Sequence, residues 1–263
     1  MKEKLILIAI FITTFLNAQV SPPGLGDVNA ASWMALGVRQ DLNENKTFES
    51  MTYVGYGATS DDDNYALISK PTIIVLNQEF SNDLNQHLKL SYALSYRNQK
   101  EYEIDELTAN EFSKTQQEIR VYSKLAYINK FGRVKLTQTA RQEVRKFVDS
   151  NWKNTTNPLQ LRTRLKTQIA VSLDQEEQHT LTFGAESLFG TSKNNFTKKW
   201  SSFKYNESRF TAFYTFRPID IPVAFSVGYM NNLIQKNTTH SVHYASLDLV
   251  FEDPFKIFRK ERS

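Results

Sequence analysis

Hydrophobic and polar residues alternate one by one over long stretches of this chain. In residues 158–174, PLQLRTRLKTQIAVSLD, leucine, threonine, isoleucine and valine occupy the odd positions, while mostly polar residues occupy the even positions. Successive side chains of a β-strand point to opposite faces, so this pattern predicts a strand. Strands of soluble domains usually contain about 5–6 residues, whereas a strand that crosses a bilayer needs about 9–11. We therefore interpret this stretch as a membrane-spanning strand whose leucine face contacts lipid.

The same alternation recurs along the chain, and the connections between the alternating stretches differ in length. Short links such as residues 129–132 alternate with longer polar links such as 98–110 and 190–202. Short turns at one rim and long loops at the other are typical of outer-membrane barrels, whose turns face the periplasm. The pattern therefore predicts an all-β chain folded as an antiparallel up-and-down transmembrane barrel. The strand candidates are residues 33–42, 48–59, 67–80, 87–97, 116–128, 133–147, 158–174, 180–189, 205–217, 223–230 and 241–251.

An odd number of strands is unexpected for such a barrel. Bacterial single-chain barrels normally have an even number of strands. Residues 20–29, VSPPGLGDVN, could add a strand or run irregularly through the lumen, or one predicted strand could be wrongly split or merged. We expect about twelve strands, with ten as the alternative. The predicted organisation is a signal peptide (1–18), an irregular segment (19–30), the barrel (31–251) and a basic tail (252–263).

The first residues resemble a cleaved export signal. Lys2 and Lys4 precede the apolar run LILIAIFITTFL, and Ala18 follows as a cleavage point. This order of basic, apolar and small residues is typical of a secretory signal peptide, and the run is shorter than the roughly 20 residues of a membrane helix. The chain contains no cysteine, which excludes an acylated N-terminal cysteine and disulfides. We expect export and location in the outer membrane, in contact with its lipid.

If the apolar faces meet lipid, the opposite faces line the lumen, and that interior is charged. The formal net charge is only +4, which together with export argues against nucleic acid as a partner. The predicted lumen-facing ladder consists of Glu118, Arg120, Arg141, Glu143, Arg145, Arg162, Arg164, Lys166, Glu186, Glu207 and Arg209. Lys89, Arg97, Lys124, Arg133, Lys135 and Arg217 fall on the same faces.

Two interpretations of this ladder remain open. In the structural one, arginines bridge carboxylates and keep the barrel rigid. In the functional one, the surplus of arginine over glutamate lines a narrow passage that attracts anions. About eight strands give a barrel filled by its own side chains, and 16–18 strands leave an aqueous channel. Eleven or twelve strands lie nearer the filled end, which favours the structural interpretation.

The hairpin around Gly132 allows a prediction of strand register. If Phe131 and Gly132 are the two turn residues, Arg120 lies opposite Glu143 and Glu118 lies opposite Arg145. A turn centred one residue earlier places Arg120 opposite Arg141. Like charges directly across a strand pair are unfavourable, so we predict the first register.

Histidine offers the best candidates for catalysis. His240 is followed by Ser241, and His243 lies three residues before Ser246, which would suit a hydrolase with imidazole as general base. The members of each pair fall on opposite faces of a strand, however, and no carboxylate orients either imidazole. We therefore predict no enzyme, no cofactor and no metal site, because the histidines also lack the further ligands that zinc needs.

The chain resembles a family of outer-membrane β-barrels defined as domain of unknown function 2490. The resemblance covers residues 33–251 and depends on QQEIRVYSKL, RQEVRKF and PLQLRTRL, with Glu186 before Phe189, the stretch 206–209 and GYMN at 228–231. It implies an outer-membrane barrel in a Gram-negative envelope and implies no activity.

The sequence therefore predicts a monomeric barrel that is structural or forms a narrow, porin-like, anion-attracting passage. Two alternatives remain. The barrel could be a subunit of a larger envelope assembly, bound through its long loops or the tail EDPFKIFRKERS at 252–263. It could also be an outer-membrane hydrolase that uses His240 or His243.

Overall fold

The protein is a closed β-barrel. The computed structural model describes residues 22–25, 28–61, 64–104, 111–235 and 239–255. These residues form eleven strands in one sheet, each paired with its neighbours in the chain and closed by the first and last strands. The strands are β1 (Ala30–Asp41), β2 (Phe48–Thr59), β3 (Lys70–Asp83), β4 (Leu88–Ile104), β5 (Glu111–Phe131), β6 (Val134–Asp149), β7 (Asn154–Ser172), β8 (His179–Lys193), β9 (Lys204–Phe216), β10 (Val223–Gln235) and β11 (Thr239–Glu252).

The predicted antiparallel barrel is confirmed, and its strand number lies between the two expected values. The ten consecutive pairings are antiparallel, whereas β1 and β11 pair in parallel from Ala30 opposite His243 to Arg39 opposite Glu252. This parallel seam closes an odd number of strands without a twelfth. The described residues of segment 19–30 add no strand of their own, since only Ala30 belongs to a strand.

The barrel has two different ends. The turn rim, as we call it, carries the connections 42–47, 84–87, 132–133, 173–178 and 217–222. The loop rim carries the connections at the opposite ends of the strands, among them 60–69 and 194–203. Most loop-rim connections are shorter than predicted, because the strands continue into them. β4 ends at Ile104 instead of residue 97, β7 begins at Asn154 instead of residue 158, and β10 ends at Gln235 instead of residue 230. The predicted signal peptide, residues 1–18, and most of the basic tail lie outside the described residues.

Alternation of side chains gives the barrel wall two contrasting surfaces. On β4, for example, Tyr92 and Leu94 are 56 % and 57 % exposed on the outside, while the intervening Ala93 and Ser95 are buried on the inside. A strand of period two necessarily segregates its residues in this way. In the parts of the chain that the structure describes, no helix is both long enough and apolar enough to cross a membrane.

The segment before β1 lies inside the lumen. The backbone N–H of Leu25 donates a hydrogen bond to the Tyr244 hydroxyl at 2.9 Å, and Arg209 Nη1 donates one to the Pro22 carbonyl at 3.2 Å. His240 and the Val28 carbonyl are joined by a contact of 3.0 Å between Nε2 and oxygen. These contacts attach the segment to β9 and β11, so one of the paths considered from the sequence, through the lumen, is confirmed for its described residues.

An apolar cluster fills one side of the lumen beside this segment. Leu25 packs there with side chains from β1, β2, β3, β10 and β11, including Trp33, Val75, Met230 and Tyr244. The Trp33 ring lies over Gly55, where a Cβ would approach the ring carbon Cη2 to 2.1 Å. Glycine at position 55 is therefore what allows the tryptophan to lie inside the barrel.

The predicted register of β5 and β6 is wrong. Phe131 lies opposite Val134, so the turn residues are Gly132 and Arg133, and Arg120 lies opposite Arg145. Gly132 has a φ of 57°, whereas the φ of Arg133 is not positive. A two-residue turn of type II′ needs positive φ at its first central residue and therefore places glycine there. The conformation of this turn determines the register, although it brings two arginines opposite each other.

Candidate functional site: an arginine-rich lumen

The site is the lumen wall formed by β3 to β9. All the residues of the predicted ladder lie on the inner face of the barrel, in the part that the strand pairing brings together. The buried members are Glu118, Arg120, Glu143, Arg162, Arg164, Glu186 and Arg209, and the partly buried members are Arg141, Arg145, Lys166 and Glu207. Arg133 differs from this prediction, because it lies in the exposed turn after Gly132.

Glu143 is the centre of the charge network. Its side chain and that of Arg120 are 0 % exposed. The two Glu143 oxygens contact Arg141 Nε at 2.7 Å, Arg162 Nε at 2.7 Å and Arg164 Nη1 at 3.3 Å. Arg120 Nη1 lies 3.6 Å away. Four guanidinium groups therefore share a single carboxylate in the interior.

Glu118 explains how the unfavourable register is tolerated. Arg145 reaches diagonally across to it with Nε at 2.8 Å and Nη2 at 2.9 Å, a bidentate arrangement. Arg120 Nε donates to the same carboxylate at 2.6 Å, and Arg97 Nε lies 4.0 Å from it. Charge-assisted bidentate contacts of this kind are among the stronger hydrogen bonds of proteins. The two arginines that face each other across β5 and β6 are thus joined through one carboxylate.

The network has fewer carboxylates than arginines. Arg164 also binds Glu186 through Nε at 2.8 Å and Nη2 at 2.7 Å. The network of Glu118, Glu143 and Glu186 therefore holds six arginines, namely Arg97, Arg120, Arg141, Arg145, Arg162 and Arg164. Removing charges from water is costly unless they are paired. Because six arginines share three carboxylates, the electrostatic potential of this interior is strongly positive.

A smaller group links the network to the N-terminal segment. Glu207 Oε1 lies 2.6 Å from Arg209 Nη2, and its other oxygen accepts a hydrogen bond from Asn232 at 3.0 Å. Arg209 in turn donates to the Pro22 carbonyl. Pro22 and Leu25 therefore cross the lumen at the level of these charges. Together with the network they occupy the lumen at mid-height.

A cavity that we call the chamber extends from the level of the network toward the turn rim. Its volume is about 180 Å³, and its wall contains inward-facing residues of β2 to β9, including members of the network, together with Pro22 and Pro23. A wider vestibule of about 720 Å³ follows at the turn rim. Chamber and vestibule share Glu49, Ile128 and Lys135 in their walls, so the chamber opens toward the turn rim.

Sequence reasoning missed two residues of the chamber wall, Glu79 and Tyr122. Glu79 on β3 accepts hydrogen bonds from Lys124 at 2.5 Å and from the Tyr122 hydroxyl at 2.8 Å. The Arg141 guanidinium lies 3.4 Å from the centre of the Tyr122 ring. The alternation of β3 does place Asn77 and Glu79 on one face and so could have predicted a polar inner face. Apolar residues occupy the same face nearer the loop rim, and for this reason the polar pair was not recognised.

The outer face is apolar, and seven aromatic residues on it lie near strand ends or among the apolar side chains. Tyr127 lies close to His87, and the rings of Tyr214 and His179 stack with centroids 6.0 Å apart, in both cases near the turn rim. Near the loop rim, Tyr96 stacks on Trp152 with centroids 6.5 Å apart. The seven residues are Tyr92, Tyr96, Tyr127, Tyr214, Phe216, Tyr229 and Phe251.

The members of each predicted histidine–serine pair lie on opposite faces of the barrel wall. His243 is on the outer face, where Nδ1 contacts the Tyr229 hydroxyl at 2.7 Å, while Ser246 is buried on the inner face. His240 contacts the Val28 carbonyl inside the barrel. Among the described residues, no group of three or more histidine, aspartate or glutamate side chains is arranged to hold a metal ion.

Two comparisons with known proteins give different results. The family model described as "Protein of unknown function (DUF2490)" matches residues 31–243. No curated protein matches the chain. The matched range contains β1 to β10, the beginning of β11 and all the residues of the charge network.

Proposed function

The chain belongs to the DUF2490 family, and from the geometry of its barrel we propose that it is a monomeric outer-membrane barrel whose obstructed lumen attracts small anions. The family description assigns no activity, so the proposal depends on the geometry of the barrel. Its central observation is the contrast between a half-exposed apolar outer surface and a charged interior whose side chains are buried or partly buried. A barrel of this design needs lipid outside and is not a wide pore.

The outer surface supports location in a membrane. Val54, Ile74, Leu94, Val121 and Leu165 are all at least half exposed, on five different strands. In water, a continuous apolar surface of this extent would promote association. The strands contain 12–21 residues, more than the roughly 9–11 that cross a bilayer. Aromatic residues near both rims fit the girdles of membrane barrels.

The orientation follows from the rims. Bacterial barrels place short turns in the periplasm and longer loops outside. The turn rim, and with it the vestibule, would then face the periplasm. A cleaved signal peptide at residues 1–18 would deliver the chain to this side of the envelope.

Single cysteines offer a direct test, because the chain has none of its own. A fluorophore on Val121→Cys should emit as in an apolar medium in lipid vesicles and should be quenched by nitroxide-labelled lipids. Lys153→Cys, in the exposed loop-rim link 150–153, is the control and should remain unquenched. Equal quenching at both positions, or emission typical of water at Val121→Cys, would contradict the proposed location.

Conductance tests the obstruction. The network around Glu143 and the segment Pro22–Leu25 occupy the lumen at mid-height. Planar bilayers that contain the protein should therefore show no large steps. Steps as large as those of open porins would exclude an obstructed lumen.

A second candidate function is that of a subunit in a larger envelope assembly. The observation that favours it is the exposed aromatic character of the loop-rim link 194–203, where Phe196 is 79 % exposed and Phe203 is 58 % exposed. Exposed aromatic residues are enriched where proteins bind each other. The variant Phe196→Ser should then abolish recovery of a defined complex from solubilised envelopes. Recovery unchanged in this variant would count against the loop as the contact.

A further inference from the structure

The chamber combines positive charge with free volume. Its wall contains nine basic and three acidic residues. Directly behind the wall lie two more arginines, Arg120 and Arg145, and four more carboxylates, Asp83, Glu118, Glu143 and Glu207. The eleven cations and seven anions leave a surplus of four positive charges. The basic wall residues are Lys89, Arg97, Lys124, Lys135, Arg141, Arg162, Arg164, Lys166 and Arg209.

We propose that the chamber is a binding site for a small multivalent oxyanion of the phosphate or sulfate class. A surplus of this size in a lumen shielded from bulk water is unfavourable unless anions offset it. The inference rests on the proposed function, since lipid around the barrel leaves the turn rim as the route into the chamber.

Arg97 is the residue best placed to bind the ligand. Its nearest carboxylate oxygen, on Glu118, is 4.0 Å away, whereas Arg145 and Arg120 approach the same group to 2.8 Å and 2.6 Å. Its Nε is buried, and no described residue makes a hydrogen bond to it. The planar guanidinium matches the oxygens of phosphate and sulfate bidentately. Arg97 therefore has capacity that the network leaves unused.

The dimensions of the chamber restrict the class of ligand. A volume of about 180 Å³ accommodates a tetrahedral oxyanion together with several water molecules. Pro22 and Pro23 close the side toward the loop rim, so a long chain cannot extend through the lumen.

The vestibule differs from the chamber in charge. Its wall contains five basic and six acidic residues, so the mouth is nearly neutral. The acidic residues there are Asp41, Glu49, Asp83, Glu177, Glu252 and Asp253. Selection for anions therefore takes place in the chamber, and the site is a pocket entered from one side.

The experiment is a titration of the mature barrel, folded in detergent, with inorganic phosphate at constant ionic strength. Binding is measured by isothermal titration calorimetry. Wild type should bind phosphate saturably, with about one ion per chain. Arg97→Gln and, separately, Lys166→Gln should each weaken the affinity by about tenfold, the effect of losing one charge-assisted contact. Lys153→Gln removes the same charge at the loop rim and should leave the affinity unchanged.

The outcomes are separable. A loss of phosphate binding supports the site when the circular dichroism spectrum of the variant shows that it is folded. Two chamber variants are used so that one can still be measured if the other fails to fold. A folded wild-type barrel without saturable binding would overturn the site, as would equal losses in Lys153→Gln and Arg97→Gln. Phosphate binding by a barrel that fails to enter vesicles would leave the site standing and remove the proposed membrane location.

Discussion

The carboxylate of Glu143 holds together more of the interior than any other side chain of the network. Replacing it by glutamine keeps the volume but removes the negative charge that Arg120, Arg141, Arg162 and Arg164 share. Arg120 and Arg164 keep Glu118 and Glu186, whereas Arg141 and Arg162 have no other paired carboxylate among the described residues. Removing one partner of a buried ion pair costs about 3–5 kcal/mol. With two arginines losing their pairing, we expect a loss at or above the upper end of this range.

The assay is equilibrium unfolding in urea, with the protein folded into lipid vesicles and tryptophan emission as the signal. Glu177→Gln is the matched control, because Glu177 pairs with Lys130 at 2.5 Å and both side chains are about a third exposed, at 33 % and 30 %. Exposed pairs of this kind contribute about 0–1 kcal/mol. If Glu143→Gln lost no more stability than this control, the arginines would be solvated by bulk water and the closed, charged interior would be refuted.

Three further predictions concern packing, lipid contact and the chamber. Gly55→Ala would place its Cβ 2.1 Å from the Trp33 ring and should cost about 1–3 kcal/mol in the same unfolding assay. At Gly37 the one clash of a new Cβ is with the flexible end of Met51 at 2.8 Å, and its other neighbours lie at 3.4 Å. Gly37→Ala should therefore cost less, and equal losses would contradict the packing. Leu94→Arg, on the outer face, should destabilise the barrel in vesicles by about 2–4 kcal/mol, and an unchanged unfolding curve would argue against lipid at this position. Glu79→Gln removes one of the three acidic residues of the chamber wall and should strengthen phosphate binding roughly threefold by calorimetry, whereas weaker binding would contradict the role of surplus charge.

The architecture could be predicted because a strand repeats every two residues. Alternation located all eleven strands, and it assigned Arg120, Glu143 and Arg164 to the inner face without any knowledge of their partners. The outward side of Leu94 follows from the same rule. This information is local, so a single sequence contains it.

The closure, register and contents of the lumen depend on interactions that alternation does not describe. The segment around Leu25 has no periodicity, and its position depends on Tyr244 and Arg209 far along the chain. The register of β5 and β6 depends on the positive φ of Gly132, which outweighs the placement of two arginines opposite each other. Pairing charges directly across the strands was the wrong criterion, because long guanidinium side chains reach carboxylates diagonally.

The parallel junction of β1 with β11 has a consequence for how the molecule is assembled. It joins the two ends of the sheet, so it cannot form until almost the whole polypeptide has been made. Parallel ladders are slightly weaker per residue than antiparallel ones, and linking such distant parts of the chain is slow because of its entropy cost. We therefore expect the pairing of β1 with β11 to form last during biogenesis and to break first under mechanical or chemical stress.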